Sequence, residues 1–242
     1  MKRRLKRVIK WLATVEKAER LRAPFMRLIR YALAQRNEVI VAYHEPERAR
    51  GFALIQQVRS ERSMLLSVGE AFTLLSVAGS TSKLDGDLAE VGVYQGGSAK
   101  LICEVKGGKD LHLFDTFGGL PQPGERDSKW FASGQFAASL DSVREYLKGY
   151  GNVHYYKGLF PQTAEGVNDR RFCFANIDAD LYQPTRAALE FFWPRLVPGG
   201  VLIAHDYGET ASEGVTLAVR EYFASVPVPV MVFDTQCLVV KI

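Results

Sequence analysis

The stretch Leu88–Val105, LAEVGVYQGGSAKLICEV, decides the fold. Leu88–Val93 is a short apolar run, and Ser98–Val105 has helical spacing, so a strand turns directly into a helix through Gly92, Gly96 and Gly97. Glycines at such a bend let the backbone turn sharply and let a ligand approach the main chain. The spacing differs from the G-x-G-x-x-G of dinucleotide binders. An acid, Glu90, precedes the first glycine, which suits a cationic ligand such as a sulfonium carrying an amino group. The next apolar run, Leu111–Asp115, ends in a carboxylate 23 residues after Gly92, where it can accept ribose hydroxyls. The glycines alone fit a plain tight turn with solvated acids; Asp115 at the neighbouring strand end argues for a bound ligand.

Outward from this loop, short apolar runs alternate with helical stretches, the sign of a mostly parallel sheet. Further strands are predicted at Val153–Tyr156, Phe172–Asp178 and Val201–Asp206, and helices at Leu140–Lys148, Pro184–Leu196 and Glu213–Phe223. Pro229–Phe233 and Leu238–Ile242 are separated only by Asp234–Cys237 and should close the sheet as an antiparallel hairpin. The fold class is therefore α/β, a Rossmann-like class I methyltransferase fold with a seven-stranded, mostly parallel sheet and a C-terminal hairpin. A dinucleotide-binding fold more often closes with a parallel strand.

Upstream, Leu5, Val8, Ile9, Leu12 and Val15 repeat at helical spacing, and Phe25, Met26, Leu28, Ile29 and Leu33 do so again. A third helix should run through Met64, Leu65, Val68, Phe72, Leu75 and Ala78 to Gly79. The organisation expected is a basic helical extension over residues 1–80 and a catalytic domain over 81–242. Residues 1–50 carry 14 Lys/Arg against 5 Asp/Glu, whereas the remainder carries 17 against 22, so the positive charge belongs to the extension. A basic amphipathic helix can pack on another subunit, touch an anionic membrane or bind nucleic acid. Packing in a homo-oligomer is expected first, peripheral membrane contact second, and nucleic acid is not expected. The first segment lacks a cleavage site, no run reaches bilayer-spanning length, and Cys103, Cys173 and Cys237 sit apart among apolar neighbours. These features fit a cytoplasmic protein with reduced core thiols.

The fourth strand ends in Asn176-Ile-Asp178-Ala-Asp180-Leu-Tyr182 and the fifth in His205-Asp206-Tyr207. Ligands of open α/β sheets bind outside the carboxyl ends of the strands, so these side chains converge near the cofactor's expected place. Methylating an alcohol requires removal of its proton. A divalent cation on the oxygen lowers that pKa, and a carboxylate or imidazole collects the proton. Oxygen ligands suit Mg²⁺; an imidazole shifts the preference towards Mn²⁺ or softer ions. The plainer explanation is that Asp178 and Asp206 cap the segments after them. Three acids and a histidine at adjacent strand ends favour a site.

The segments EVGVYQGGS (Glu90–Ser98), FDTFGGLP (Phe114–Pro121), GLFPQT (Gly158–Thr163), IDADLYQPT (Ile177–Thr185) and PGGVLIAHDYG (Pro198–Gly208) resemble the macrocin O-methyltransferase family, in order and spacing, over about residues 60–242. The resemblance implies O-methylation of a hydroxyl on a sugar or natural product, with S-adenosyl-L-methionine as donor. The cofactor-binding set is then Glu90, Gly92, Tyr94, Gly96, Ser98, Asp115, Thr116 and Asp178. The resemblance also implies a Mg²⁺ site with Asp178 and Asp206 as ligands and Asp180 as general base. One departure matters: the family usually has two adjacent aspartates where this chain has His205-Asp206. Either His205 is a third metal ligand for Mn²⁺ or another softer ion, or it is a base, or the metal is gone, and the plainest explanation is a strand-end histidine bonded to Asp178. Leu159 and Gln162 also stand where an aromatic and an acid are usual.

Gly118–Gln135 holds two prolines and four glycines without periodicity. A loop of that length inside a compact domain is usually functional or disordered, and here it is expected to close over the acceptor with Trp130 and Phe131 as an apolar wall. The competing function is a non-catalytic cofactor-binding module or assembly partner, which the His205 change would favour and the joint presence of Asp178, Asp180 and Asp206 opposes. A nicotinamide oxidoreductase is disfavoured by the glycine spacing and the hairpin.

Overall fold

The computed structural model describes residues 46–242; the two helices expected within residues 1–45 lie outside the described residues. Two helices precede the sheet, α1 (Pro46–Glu61) and α2 (Val68–Thr81). Ser67 caps α2 in a reciprocal capping box with Glu70, which fixes the start of that helix after Met64 and Leu65 rather than before them. The sheet then builds as β1 (Asp87–Val91), α3 (Gly97–Val105), β2 (Leu111–Asp115), α4 (Leu140–Leu147), β3 (Val153–Lys157), β4 (Phe172–Ile177), α5 (Tyr182–Phe192), β5 (Leu196–Ala204), α6 (Glu213–Phe223), β6 (Val230–Phe233) and β7 (Gln236–Val240). Strand order is β3-β2-β1-β4-β5-β7-β6. β1 to β5 pair in parallel, and β7 runs antiparallel to both β5 and β6. This is the class I methyltransferase arrangement with its terminal hairpin.

The strands bury residues on both faces, as crossover helices require. One face packs Leu88, Phe174, Ile203 and Leu238 against Ile55 and Val58 of α1, Leu74 and Ala78 of α2 and Leu101 of α3. The other packs Ala89, Ala175 and Leu202 beneath Ala188, Leu189 and Phe192 of α5 and Val219 of α6. Aromatic rings fill the second face, with Phe114 stacked on Tyr156 at 4.5 Å and edge-on to Phe160 at 5.3 Å. All three cysteines are buried and free. No helix among the described residues is long and apolar enough to cross a membrane.

Besides α2, and besides α5 and β7, which begin two residues earlier than expected at Tyr182 and Gln236, the largest departures are at α1 and β5. α1 was not foreseen, because it buries only Ile55 and Val58 and shows no apolar stripe. β5 begins at Leu196, not Val201, because the chain passes through Pro198-Gly199-Gly200 as an irregularity: Phe172 pairs with Leu196 while Phe174 pairs with Val201.

Candidate active site

The β1–α3 turn is held by its own backbone and by one carboxylate. Gly92 has φ of +86°, and a Cβ there would lie 1.8 Å from the carbonyl oxygen of Asp178, so this position admits only glycine. Gly96, at φ +83°, is the residue before α3. Asp115 Oδ2 accepts the N–H groups of Val93 (2.7 Å) and Tyr94 (3.0 Å), and Oδ1 accepts that of Phe117 (2.7 Å). Asp115 is therefore first a clamp that draws the ends of β1 and β2 together, and ribose contact falls to what acceptor capacity remains. Thr116 donates to Gly119 O at 2.6 Å and accepts from Gly118 N, closing the following turn. Tyr94 is half-buried at φ +49°, edge-on to Phe136 at 6.1 Å, and Ser98 is buried in the first turn of α3.

Glu90 is fully buried on the α1–α3 side of the sheet. Its Oε1 accepts from Asn176 Nδ2 at 2.9 Å, while Oε2 has no hydrogen-bond partner. Burial pushes its carboxyl up from the usual 4.5 to about 8, against the polar groups of Ser98 and Asn176, which favour the charged form. An unpartnered buried carboxylate oxygen beside a glycine turn fits a ligand ammonium, which would restore the charged form. The sign for stability follows. Between pH 4.5 and about 8 the folded chain keeps a proton that the unfolded chain has lost, so stability without ligand falls as pH rises through that window. The slope reaches about 1.4 kcal/mol per pH unit for one proton. Chemical unfolding at several pH values is expected to show this fall, and Glu90→Gln is expected to flatten it by one proton's worth. Parallel slopes in the two proteins would show that Glu90 does not titrate in this way.

At the ends of β4 and β5, Asp178, Asp180 and Asp206 are half-buried. Asp180 and Asp206 both sit in the left-handed region, at φ +60° and +61°, a conformation that non-glycine residues hold only where surrounding structure enforces it. Burial raises all three carboxyls above the usual range, and mutual repulsion adds to it: Asp178 and Asp206 act on Asp180, and Glu70 and Asp115 on Asp178. Asp180 and Asp206 are also hydrogen-bonded to each other. Clustered acids of raised pKa at a strand-end cleft are the pattern of a functional site.

His205 is placed differently from the three aspartates. It is buried, and its Nε2 meets Asn176 Oδ1 at 2.9 Å rather than Asp178. Nδ1 has no partner, and burial lowers the imidazole pKa against the pull of Asp206 and Glu70. The expected metal set Asp178, His205 and Asp206 is not brought together: among the described residues, the trio with ligand atoms all within 4.8 Å is instead Asp87, Asp110 and His112, at the opposite end of the strands. Arg170 already bridges that pair of acids, 3.4 Å from Asp87 and 3.6 Å from Asp110.

Sequence reasoning missed Glu70 and its neighbour Gln236, and gave Asn176 no role of its own. Glu70 is buried, accepts from Ser67 N at 2.8 Å and from the Thr235 hydroxyl, and its charge acts on Asp178. The S-x-x-E pattern of Ser67–Glu70 was the signal that could have placed it. Gln236 is fully buried, with Oε1 unpartnered.

The Gly118–Gln135 segment is tied down at both ends and the middle. Leu120 N donates to Gln135 O at 2.7 Å and Leu120 O accepts from Gly134 N at 2.9 Å, and Asp127 Oδ1 accepts the N–H of Tyr182 at 2.7 Å. Arg126 lies 4.5 Å over the Tyr182 ring and 3.0 Å from Glu221. Phe131 is buried, whereas Trp130 is exposed, so of the expected apolar wall only Phe131 faces inward.

Comparison with known proteins places this geometry. The family model described as macrocin-O-methyltransferase (TylF) matches residues 75–241. The 8-demethyl-8-(2,3-dimethoxy-alpha-L-rhamnosyl)-tetracenomycin-C 4'-O-methyltransferase of Streptomyces olivaceus is 33% identical over 153 residues, 57% of this chain and 58% of that protein. The demethyldecarbamoylnovobiocin O-methyltransferase of Streptomyces niveus is 28% identical over 142 residues, 52% and 54% of the two chains. The chain thus spans a little over half the length of the curated relatives it matches. Among solved structures, the O-methyltransferase NovP superposes with a TM-score of 0.63 at 21% identity, covering 74% of this chain and 81% of that one, a likeness of fold. With the family model spanning β1 to β7 and every strand-end residue described above, the chain belongs to the macrocin-O-methyltransferase (TylF) family.

Proposed function

We propose that the protein is an S-adenosylmethionine-dependent O-methyltransferase acting on a hydroxyl of a sugar or other natural product. The observation that carries this reading is the conjunction of the Gly92–Asp115 turn and the Glu90 Oε2 orphan with three acids of raised pKa at the next two strand ends. Glu90 would receive the cofactor's ammonium, Gly92, Tyr94, Gly96 and Ser98 would line its path, and Asp115, Thr116 and Asp178 would bound the nucleoside side. Bound cofactor supplies a methyl group to the acceptor oxygen, and a divalent cation would make that oxygen's proton more acidic.

The chain's own work is then positioning and proton collection. Burial and the charges of Asp178 and Asp206 hold the Asp180 carboxyl in its protonated form near neutral pH, so Asp180 would take the proton that the hydroxyl loses only once positive charge bound beside it has ionised it. A cation would have to draw Asp178, Asp206 and His205 closer together than they stand, and such a mixed carboxylate–imidazole set would favour Mn²⁺ or a softer ion over Mg²⁺. Tied loops over the carboxyl edge would exclude water. The acceptors named for the curated relatives, a rhamnosyl tetracenomycin and a decarbamoylnovobiocin, support a glycosylated natural product as the acceptor class.

Two measurements test these assignments. Methyl transfer from labelled cofactor to glycosylated acceptors, after chelation and reloading with Mg²⁺, Mn²⁺ or Zn²⁺, is expected to favour Mn²⁺ in the wild type. The preference should move towards Mg²⁺ in His205→Asp. An unchanged metal order in the variant would remove His205 from the ligand set. Limited proteolysis within Gly118–Gln135 is expected to slow when cofactor is added; equal cleavage with and without it would count against a cofactor-linked lid.

A further inference from the structure

β1, β4 and β5 lie side by side, with Glu90 opposite Asn176 and Asn176 opposite Ile203. The two-residue alternation of strands sends Glu90, Asn176 and His205 to one face, that of Leu88, Phe174 and Ile203. There they form a chain. Asn176 Nδ2 donates to Glu90 Oε1 at 2.9 Å, and Asn176 Oδ1 faces His205 Nε2 at 2.9 Å. All three side chains are buried, at 0%, 0% and 2% exposure, and each end of the chain carries an unpartnered atom: Glu90 Oε2 and His205 Nδ1.

The direction of this chain determines a proton position. An amide that gives its N–H to Glu90 turns its oxygen to the imidazole, and an amide oxygen has no proton to give. His205 Nε2 must therefore be the N–H. The other nitrogen, Nδ1, is buried with no acceptor beside it, so a proton there would be an unsatisfied donor, and it is left as a bare lone pair. Which nitrogen is free in a histidine is set by the hydrogen bond that the other one makes.

We infer that Asn176 is a positioning residue, holding His205 in the Nε2–H tautomer so that its Nδ1 lone pair is left as the free, unpartnered atom able to accept a proton. The inference deepens the proposed function and rests on it for the use of that lone pair, but not for the tautomer itself. It also joins two ends of the site. A ligand ammonium at Glu90 Oε2 keeps Glu90 ionised and accepting, which keeps the Asn176 amide, and hence His205, in this orientation. The second aspartate usual in the family could not report on its neighbour in this way, because a carboxylate has no tautomer to fix.

The test is ¹⁵N spectroscopy of histidine-labelled full-length protein, with the His205 signals assigned by their loss in His205→Asn. The wild type is expected to show the Nε2–H tautomer, sharpened by S-adenosylhomocysteine. Asn176→Leu, which removes the acceptor, should abolish the preference, and Asn176→Asp, which keeps an oxygen, should restore it. A wild-type Nδ1–H tautomer would overturn the inference without any variant, which covers the case in which Asn176→Leu fails to fold. An unchanged tautomer in folded Asn176→Leu would overturn it equally. The readout needs no acceptor, metal or turnover. Failure of the methyltransferase reading would instead appear as a spectrum indifferent to S-adenosylhomocysteine while the tautomer stands.

Discussion

Asp180→Asn is expected to lower kcat for methyl transfer by about 10²–10⁴-fold, the usual worth of a positioned general base, while leaving cofactor affinity close to that of the wild type. Asparagine keeps the size of the side chain and, like aspartate, tolerates the left-handed conformation in which residue 180 sits at φ +60°. The backbone at the end of β4 should therefore survive the change. What is lost is the basic oxygen, held above the ordinary carboxylate range by burial and by Asp178 and Asp206. Single-turnover rates for Asp180→Asn and His205→Asn, measured side by side, separate the two candidate bases. A near-normal rate in Asp180→Asn with a collapsed rate in His205→Asn would move the proton from the carboxylate to the imidazole.

The second large effect concerns a residue with no side chain. Gly92→Ala introduces a methyl group 1.8 Å from the Asp178 carbonyl oxygen at a position already at φ +86°. The obstacle is backbone, and that backbone is fixed, since Asp178 N donates to Val91 O at 2.8 Å. Overpacking and left-handed strain together are expected to cost about 3 kcal/mol or more. The damage should appear as a lowered unfolding midpoint and as loss of cofactor binding, because relief of the clash requires β1 and β4 to part where the cofactor turn is formed. Gly107→Ala is the control, since no heavy atom lies within 4 Å of a Cβ there and only the φ of +62° opposes it. Equal destabilisation by the two substitutions would show that the close approach to Asp178 carries no special weight.

What the sequence made legible follows from the range of the interactions involved. β2 and α6 were readable to their end residues, because burial on both faces or one helical stripe writes itself into consecutive residues. The turn glycines and Asp115 were readable as well, since strand-end chemistry in an α/β sheet faces one edge. α1 was hidden because only two of its residues enter the core. The start of β5 was hidden because Pro198-Gly199-Gly200 signals a turn in any local reading, whereas pairing with β4 on either side carries the strand through it. Within the site, Asp178, Asp180 and Asp206 were visible as acids at strand ends. The destination of His205 was not. It depends on Asn176 standing between two strands that are distant in sequence, and on Glu90 orienting the amide. Only the pairing of three strands brings these residues together. Asp115 shows the same limit, because its capture of the Val93 and Tyr94 N–H groups depends on how β1 and β2 lie together.

The most direct test of the account is calorimetric titration of the full-length protein with S-adenosylmethionine, repeated on Glu90→Gln. The account leads us to expect one site of micromolar affinity in the wild type. It also leads us to expect proton release on binding below pH 8, read from buffers of different ionisation enthalpy, since the ligand ammonium would discharge a carboxyl held at about 8. Glu90→Gln should weaken binding and abolish that proton release. Absence of any binding heat in the wild type, with the protein folded and across buffers, would contradict the central claim that this fold is used to hold a methyl donor.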